Sequence, residues 1–379
     1  MAGGRTFAAV LLTAAACGGP TTVEAGEGLP RPDVVLACID GVGMEHLAGE
    51  LPAFAKMADE GVVFTAAHAS SPWAGESLAA LLTGVVAPLP PERGARSREA
   101  GRSEEAPPSL AEVLRHSGYS TAFLPAHRLH LSAALECLDD GTGGLRGFDV
   151  VLEVPGAATD AGAVAGDVGR VAAAWLRAQE GPALLVCSFA DPAPPHHLHG
   201  DAGAAGLDPA YAGPVTSGLS HSELLRQAPS FVEADRARLR ALHGTEVAAV
   251  ELAFDALAGV AVGRRARQPI LAIAGLRRPA LGDGDRYGLL PSLEPEDLRV
   301  PLLLRLSTDA EGAPAPAGVD DTPVSLVDLY PTLLDALGLP ARLDLDGRSV
   351  FPGARAPERT IVARTGRGIR GEVILGGGN

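Results

Sequence analysis

Short, almost wholly apolar runs at 34–39, 62–67, 121–124, 183–189, 270–274 and 302–306 alternate with longer segments of helical period at 51–60, 77–82, 109–117, 161–178, 233–262 and 325–337. A strand that is apolar at nearly every position must be covered on both faces, and helices between consecutive strands cover a parallel sheet in that way. The alternation predicts an α/β fold with a large, mostly parallel sheet flanked by helices. With 46% of its 379 residues apolar, the chain can bury such a core. The stretches 87–108 and 199–228 read as long loops.

The first residues carry a different signal. An apolar run at 7–16 leads into Cys17 and then Gly18-Gly19-Pro20. It is too short to span a bilayer and suits the core of a secretory signal. Small residues running into a Cys resemble a bacterial lipobox, although Ala14 stands where that pattern prefers Leu. The expectation is a lipoprotein-type signal peptide over 1–16, lipidation at Cys17 and a flexible tether over 17–32. That places the protein in the exported cell envelope, on the periplasmic face, with the membrane touched only through the anchor. A net charge of −15 argues against nucleic-acid phosphates and anionic lipid surfaces as partners. Cys38 and Cys187, inside apolar runs, read as buried thiols.

In an open α/β sheet, ligands sit beyond the carboxyl ends of the strands. Past the first run stands Cys38-Ile39-Asp40-Gly41-Val42-Gly43, and past the second Ser71-Pro72-Trp73-Ala74-Gly75-Glu76-Ser77-Leu78, running on to Leu81-Leu82-Thr83-Gly84. Further landmarks are Arg146-Gly147-Phe148-Asp149, Arg299-Val300-Pro301-Leu302 and Asp346-Gly347-Arg348-Ser349. In order and spacing, from about 32 to 350, these segments resemble the sulfatases of the alkaline phosphatase superfamily. The resemblance implies an alkaline-phosphatase/sulfatase-like sandwich over 33–350, followed by a truncated C-terminal remnant over 351–379. It also implies a divalent cation, usually calcium, held by oxygen ligands, a nucleophile at a helix N-terminus, and lysine and histidine side chains that clamp the ester.

Carried onto this chain, most of that apparatus is replaced. Asp40 matches the first metal-binding Asp, but the second is Gly41, and the later Asp-His pair is Leu276-Arg277. Ala74 stands at the nucleophile position, and Leu289 where the family has a His after Tyr-Gly. Lys56 is the only lysine, and no histidine lies beyond His243. A monocation about 4 Å from a dication, at an effective dielectric of about 20, costs roughly 8 kcal/mol, so Arg277 opposes a metal there.

Asp40 is therefore expected to pair with Arg277. Ser77 is either a displaced nucleophile or a packing residue of the helix start. His196 and His197, with His199, read as a loop that could contribute ligand contacts alongside Arg277, and Glu246 and Glu251 as exposed-face carboxylates. The functional expectation is a catalytically inactive sulfatase-like lipoprotein without a bound cofactor. Its partner would be a sulfated or phosphorylated small molecule or glycan, or another protein. The alternative is an active sulfate or phosphate ester hydrolase with a non-standard site, using calcium or magnesium if the inherited site functions.

Overall fold

The computed structural model describes residues 31–47, 51–86, 107–138, 145–159, 162–198, 207–264, 267–307, 315–340, 344–351, 361–365 and 371–375. The expected signal peptide, Cys17, His199 and most of the loop at 87–108 lie outside them. The strands are β1 (Val34–Asp40), β2 (Val62–Phe64), β3 (Ala67–His68), β4 (Ser120–Leu124), β5 (Val150–Val151), β6 (Ala183–Phe189), β7 (Ile270–Arg277), β8 (Ala280–Leu281), β9 (Tyr287–Gly288), β10 (Leu302–Arg305), β11 (Gly318–Asp320), β12 (Val324–Ser325), β13 (Ile361–Thr365) and β14 (Gly371–Leu375). The α-helices are α1 (Pro52–Glu60), α2 (Ala74–Thr83), α3 (Leu110–His116), α4 (Arg128–Leu138), α5 (Ala165–Arg177), α6 (His221–Gln227), α7 (Glu233–Arg264), α8 (Pro295–Leu298) and α9 (Leu329–Ala336).

Eight strands form one sheet in the order β11-β2-β10-β7-β1-β6-β4-β5. All its pairings are parallel except those of β10, which runs against both β7 and β2. Successive residues of central β1 point to opposite faces. Val34, Leu36 and Cys38 join a core that includes Leu78, Leu81 and Leu82 of α2 and Leu333 of α9. Val35, Ala37 and Ile39 join a second core with Phe54 and Met57 of α1, Val168 of α5 and Val247 and Phe254 of α7. Two covered faces explain why the run carries no polar alternation. Both thiols expected to be buried are buried and free, and burial pushes the Cys38 thiol up to about 12.

The apolar run expected at 62–67 divides. Its first half pairs in the large sheet, while β3 crosses to a small parallel sheet with β12, because Thr65 N–H turns to the Asp320 carbonyl at 2.9 Å. The long helix α7 packs against both α5 and α1, and this overturns the expectation of exposed carboxylates at Glu246 and Glu251. Both are buried. Glu251 accepts the Ala53 N–H at 2.5 Å, capping the start of α1, whose own N-cap residue Leu51 has no acceptor side chain. At the opposite end of the sheet, buried Asp33 takes both Nε and Nη2 of Arg264 at 2.9 and 2.7 Å and the Ala183 N–H at 2.9 Å. That contact ties β1, α7 and β6 together. The C-terminal stretch contributes the hairpin β13–β14, whose Arg364 N–H reaches the Ser70 carbonyl at 2.9 Å. Among the described residues no helix is long and apolar enough to cross a membrane.

Candidate functional site

The carboxyl end of β1 carries Asp40 into a buried position. A register shift between Ile39 and Asp40 brings Arg277, the last residue of β7, directly opposite it. The guanidinium closes on the carboxylate at two points, Nε to Oδ1 at 2.6 Å and Nη2 to Oδ2 at 2.9 Å. A third donor is His130 of α4, whose Nε2 lies 3.2 Å from Oδ2. An ionised Asp40 can only accept, so the imidazole proton faces it at Nε2, and a neutral ring then accepts at Nδ1 the hydroxyl proton of Ser188, whose Oγ lies 3.0 Å away and accepts the Ala126 N–H at 3.0 Å. Burial alone would raise the Asp40 carboxyl. The Arg277 charge, with the His130 and Arg277 hydrogen bonds, outweighs it and holds the group well below the usual carboxylate range.

These residues do not fit a divalent cation. Both Asp40 oxygens are already engaged. Gly41 has φ +83°, and a Cβ there would fall 2.7 Å from Ala193 N and from the Pro192 carbonyl oxygen, so the backbone fills the place of a second carboxylate. Leu276 is buried in the apolar core. Among the described residues no group of three or more His, Cys, Asp or Glu could hold a metal.

At the start of α2, Ala74 presents only a methyl. Ser77 is fully buried and donates its hydroxyl to the Ser71 carbonyl at 2.9 Å. Ser71 in turn accepts the Trp73 N–H at 3.2 Å and donates to Glu76 Oε2 at 2.5 Å. These bonds hold a helix start whose N-cap residue, Trp73, offers no acceptor. The geometry is that of packing.

The expected loop histidines behave differently from a solvated loop. His196 is 4% exposed, with neither ring nitrogen hydrogen-bonded, and stands edge-on to His243 at 5.5 Å between ring centroids. His197 donates its backbone N–H to Glu246. His243 Nε2 donates to the Gly41 carbonyl at 2.8 Å, and its ring lies 4.3 Å from His46, whose Nδ1 accepts the Gly43 N–H at 2.9 Å. Burial first, then the Arg278 charge, carries His46 down to about 4; burial, then His46, carries His243 down to about 3. Burial favours the neutral form of these imidazoles, which cluster behind the Asp40–Gly41 turn tilted or edge-on to one another.

His130, His46, His243 and His221 were not singled out from the sequence. His130 could have been: it lies just past β4, as Asp40 ends β1, where strand-end residues converge. His221 opens α6, and its Nε2 accepts the backbone N–H of Leu289 at 3.1 Å. Burial, then the charge of Arg277, lowers its pKa.

Residues 32–163 match the family model described as Sulfatase. No curated protein matches the sequence. The fold is shared with a protein solved in complex with its substrate, D-glucosamine 2-N,6-O-disulfate, at 15% identity and a TM-score of 0.62, over 89% of this chain and 84% of that one. A phosphonate monoester hydrolase of Agrobacterium radiobacter gives 18% and 0.61, over 88% and 80%. A protein of the alkaline phosphatase superfamily from Vibrio parahaemolyticus gives 16% and 0.59, over 90% and 74%.

Proposed function

For a chain whose residues 32–163 match the Sulfatase family model and whose fold is shared with a protein of the alkaline phosphatase superfamily, we propose a role in binding an anionic ester without hydrolysing it. The observation that carries this reading is the two-point Arg277–Asp40 pair standing where the family resemblance places the metal ligands. The alanine methyl at the nucleophile position supports it. Arg277 spends Nε and Nη2 on Asp40, which leaves Nη1 to donate to a ligand oxygen. The ligand class is a sulfated or phosphorylated small molecule or glycan. One fold neighbour was solved with a disulfated glucosamine as its substrate, which is consistent with this class.

The cellular setting completes the proposal: export to the bacterial cell envelope and tethering through a lipid on Cys17. The apolar run leading into Cys17 supports it. Mass spectrometry of the N-terminal peptide from membranes should show diacylglyceryl-modified Cys17; an unmodified Cys17 refutes the tether.

Purified protein dialysed against calcium and magnesium should carry far less than one metal per chain by elemental mass spectrometry. It should bind sulfate esters in calorimetry while releasing no sulfate or phosphate. Stoichiometric metal together with ester turnover that is lost in Asp40→Ala would replace this reading with the hydrolase.

A further inference from the structure

The sequence places Leu289 where a family histidine is expected, and no residue beyond His243 can restore it. The fold brings one there from upstream. β7 runs through Arg278-Pro279 into β8, which pairs antiparallel with β9, Ala280 opposite Gly288. Leu289 therefore comes opposite Pro279, two residues past Arg277 at the end of β7. Helix α6 is pressed onto this return: Gly288 has φ +77°, and a Cβ on it would fall 2.4 Å from His221 Nε2 and 3.5 Å from a Leu225 methyl. The sequence at 288 thus has to be glycine for α6 to dock.

The docking fixes the chemistry of His221. Because the Leu289 N–H donates to Nε2, a neutral ring must carry its proton on Nδ1. His221 is half-buried, and among the described residues no hydrogen bond is found at Nδ1. Four residues on, Leu225 lies on the same face of the helix, 44% exposed. It borders a cleft of about 590 Å³ lined also by Ala228, Pro229, Tyr287 and Leu290 and by the charged Arg236, Asp285 and Arg286. That volume is within the range of small-molecule sites.

We propose that the α6 face carrying His221 and Leu225 is a binding element of the Arg277 site, His221 donating its Nδ1–H to the anionic head and Leu225 with its cleft receiving the carbon part of an aryl or alkyl ester monoanion. The proposal rests on the anion-binding reading above. It gives a histidine read as lost from the sequence a counterpart in space.

Calorimetry with phenyl sulfate and with inorganic sulfate tests it on the full chain. His221→Gln keeps an acceptor for the Leu289 N–H but removes the Nδ1 donor; both probes should bind about tenfold or more weakly at an unchanged melting temperature. His221→Asn, with an N–H near the Nδ1 position, should regain part of the loss. Leu225→Asn should weaken phenyl sulfate several-fold and leave sulfate unchanged. Should His221→Gln prove unstable, nitrogen NMR of the wild-type ring takes its place: phenyl sulfate should shift the His221 Nδ1–H resonance. Wild-type affinity in a folded His221→Gln, or an unmoved resonance at saturation, overturns the role of α6 while anion binding itself stands. A folded wild-type chain that binds neither probe overturns the anion reading and this inference with it.

Discussion

Arg277 and Asp40 end two adjacent parallel strands and are locked together by two hydrogen bonds of 2.6 and 2.9 Å. Both are largely withdrawn from water, with side chains 15% and 5% exposed. Removing one member of such a pair leaves an uncompensated buried charge, whereas removing both leaves none. Arg277→Met should therefore lower stability by about 3–5 kcal/mol, and Asp40→Asn with Arg277→Met should recover most of it. Urea unfolding of the two variants checks this, and equal losses in both would show that the charge itself is not what matters.

The clustered histidines set an acid limit. His46 and His243 have folded pKa values of about 4 and about 3, below the ordinary 6.5, because burial disfavours their charged forms. The unfolded chain then binds more protons than the folded one below pH 6.5. Their contribution is complete above that pH and declines as pH falls toward 4, by up to about 1.4 kcal/mol per pH unit for each ring. Asp40, whose pKa is lowered from 3.8, adds its own loss only below about pH 4. Unfolding midpoints measured from pH 7.5 to 4.5 should fall, and His243→Gln should flatten the slope.

Gly41→Asp restores a carboxylate in sequence but not in space. Its Cβ meets the Pro192 carbonyl and Ala193 N at 2.7 Å, and its φ of +83° is unfavourable for any residue with a Cβ. The variant should melt lower than wild type by at least the equivalent of about 1–3 kcal/mol, and calcium should not raise its melting temperature. A calcium-dependent rise would mean that the 192–193 backbone yields.

Ser77→Ala separates packing from chemistry. Losing the bond to the buried Ser71 carbonyl should cost about 1–3 kcal/mol of stability. Sulfate binding should be unchanged. Any ester turnover present in wild type and absent in a stably folded Ser77→Ala would make the serine a nucleophile after all.

How far the sequence speaks can be judged from particular elements. The run at 183–189 and the observed β6 coincide, because a strand buried on both faces shows itself as apolar sequence without alternation, broken here only by Ser188. The Asp40–Arg277 pair, 237 residues apart, was legible through strand ends compared with a family pattern. Glu246 and Glu251 were misread because helical period tells how residues are spaced, not that α7 has packed neighbours on more than one side. His221 was invisible because its partner is a backbone N–H at Leu289, which has no signature in side-chain identity. The run at 62–67 was read as one strand since Thr65, β-branched and flanked by apolar residues, fits a strand and gives no sign of the crossing.

The peptide of Pro192 and Ala193 resting on Gly41 acts as a doorstop. A carboxylate at 41 is not one substitution away: the segment carrying His196 and His197 would have to move back from the turn to admit it. Arg277 on Asp40 bars the same road from the other side. Two unrelated neighbours thus close the same corner, and no single substitution at 40, 41 or 277 opens it to a second carboxylate.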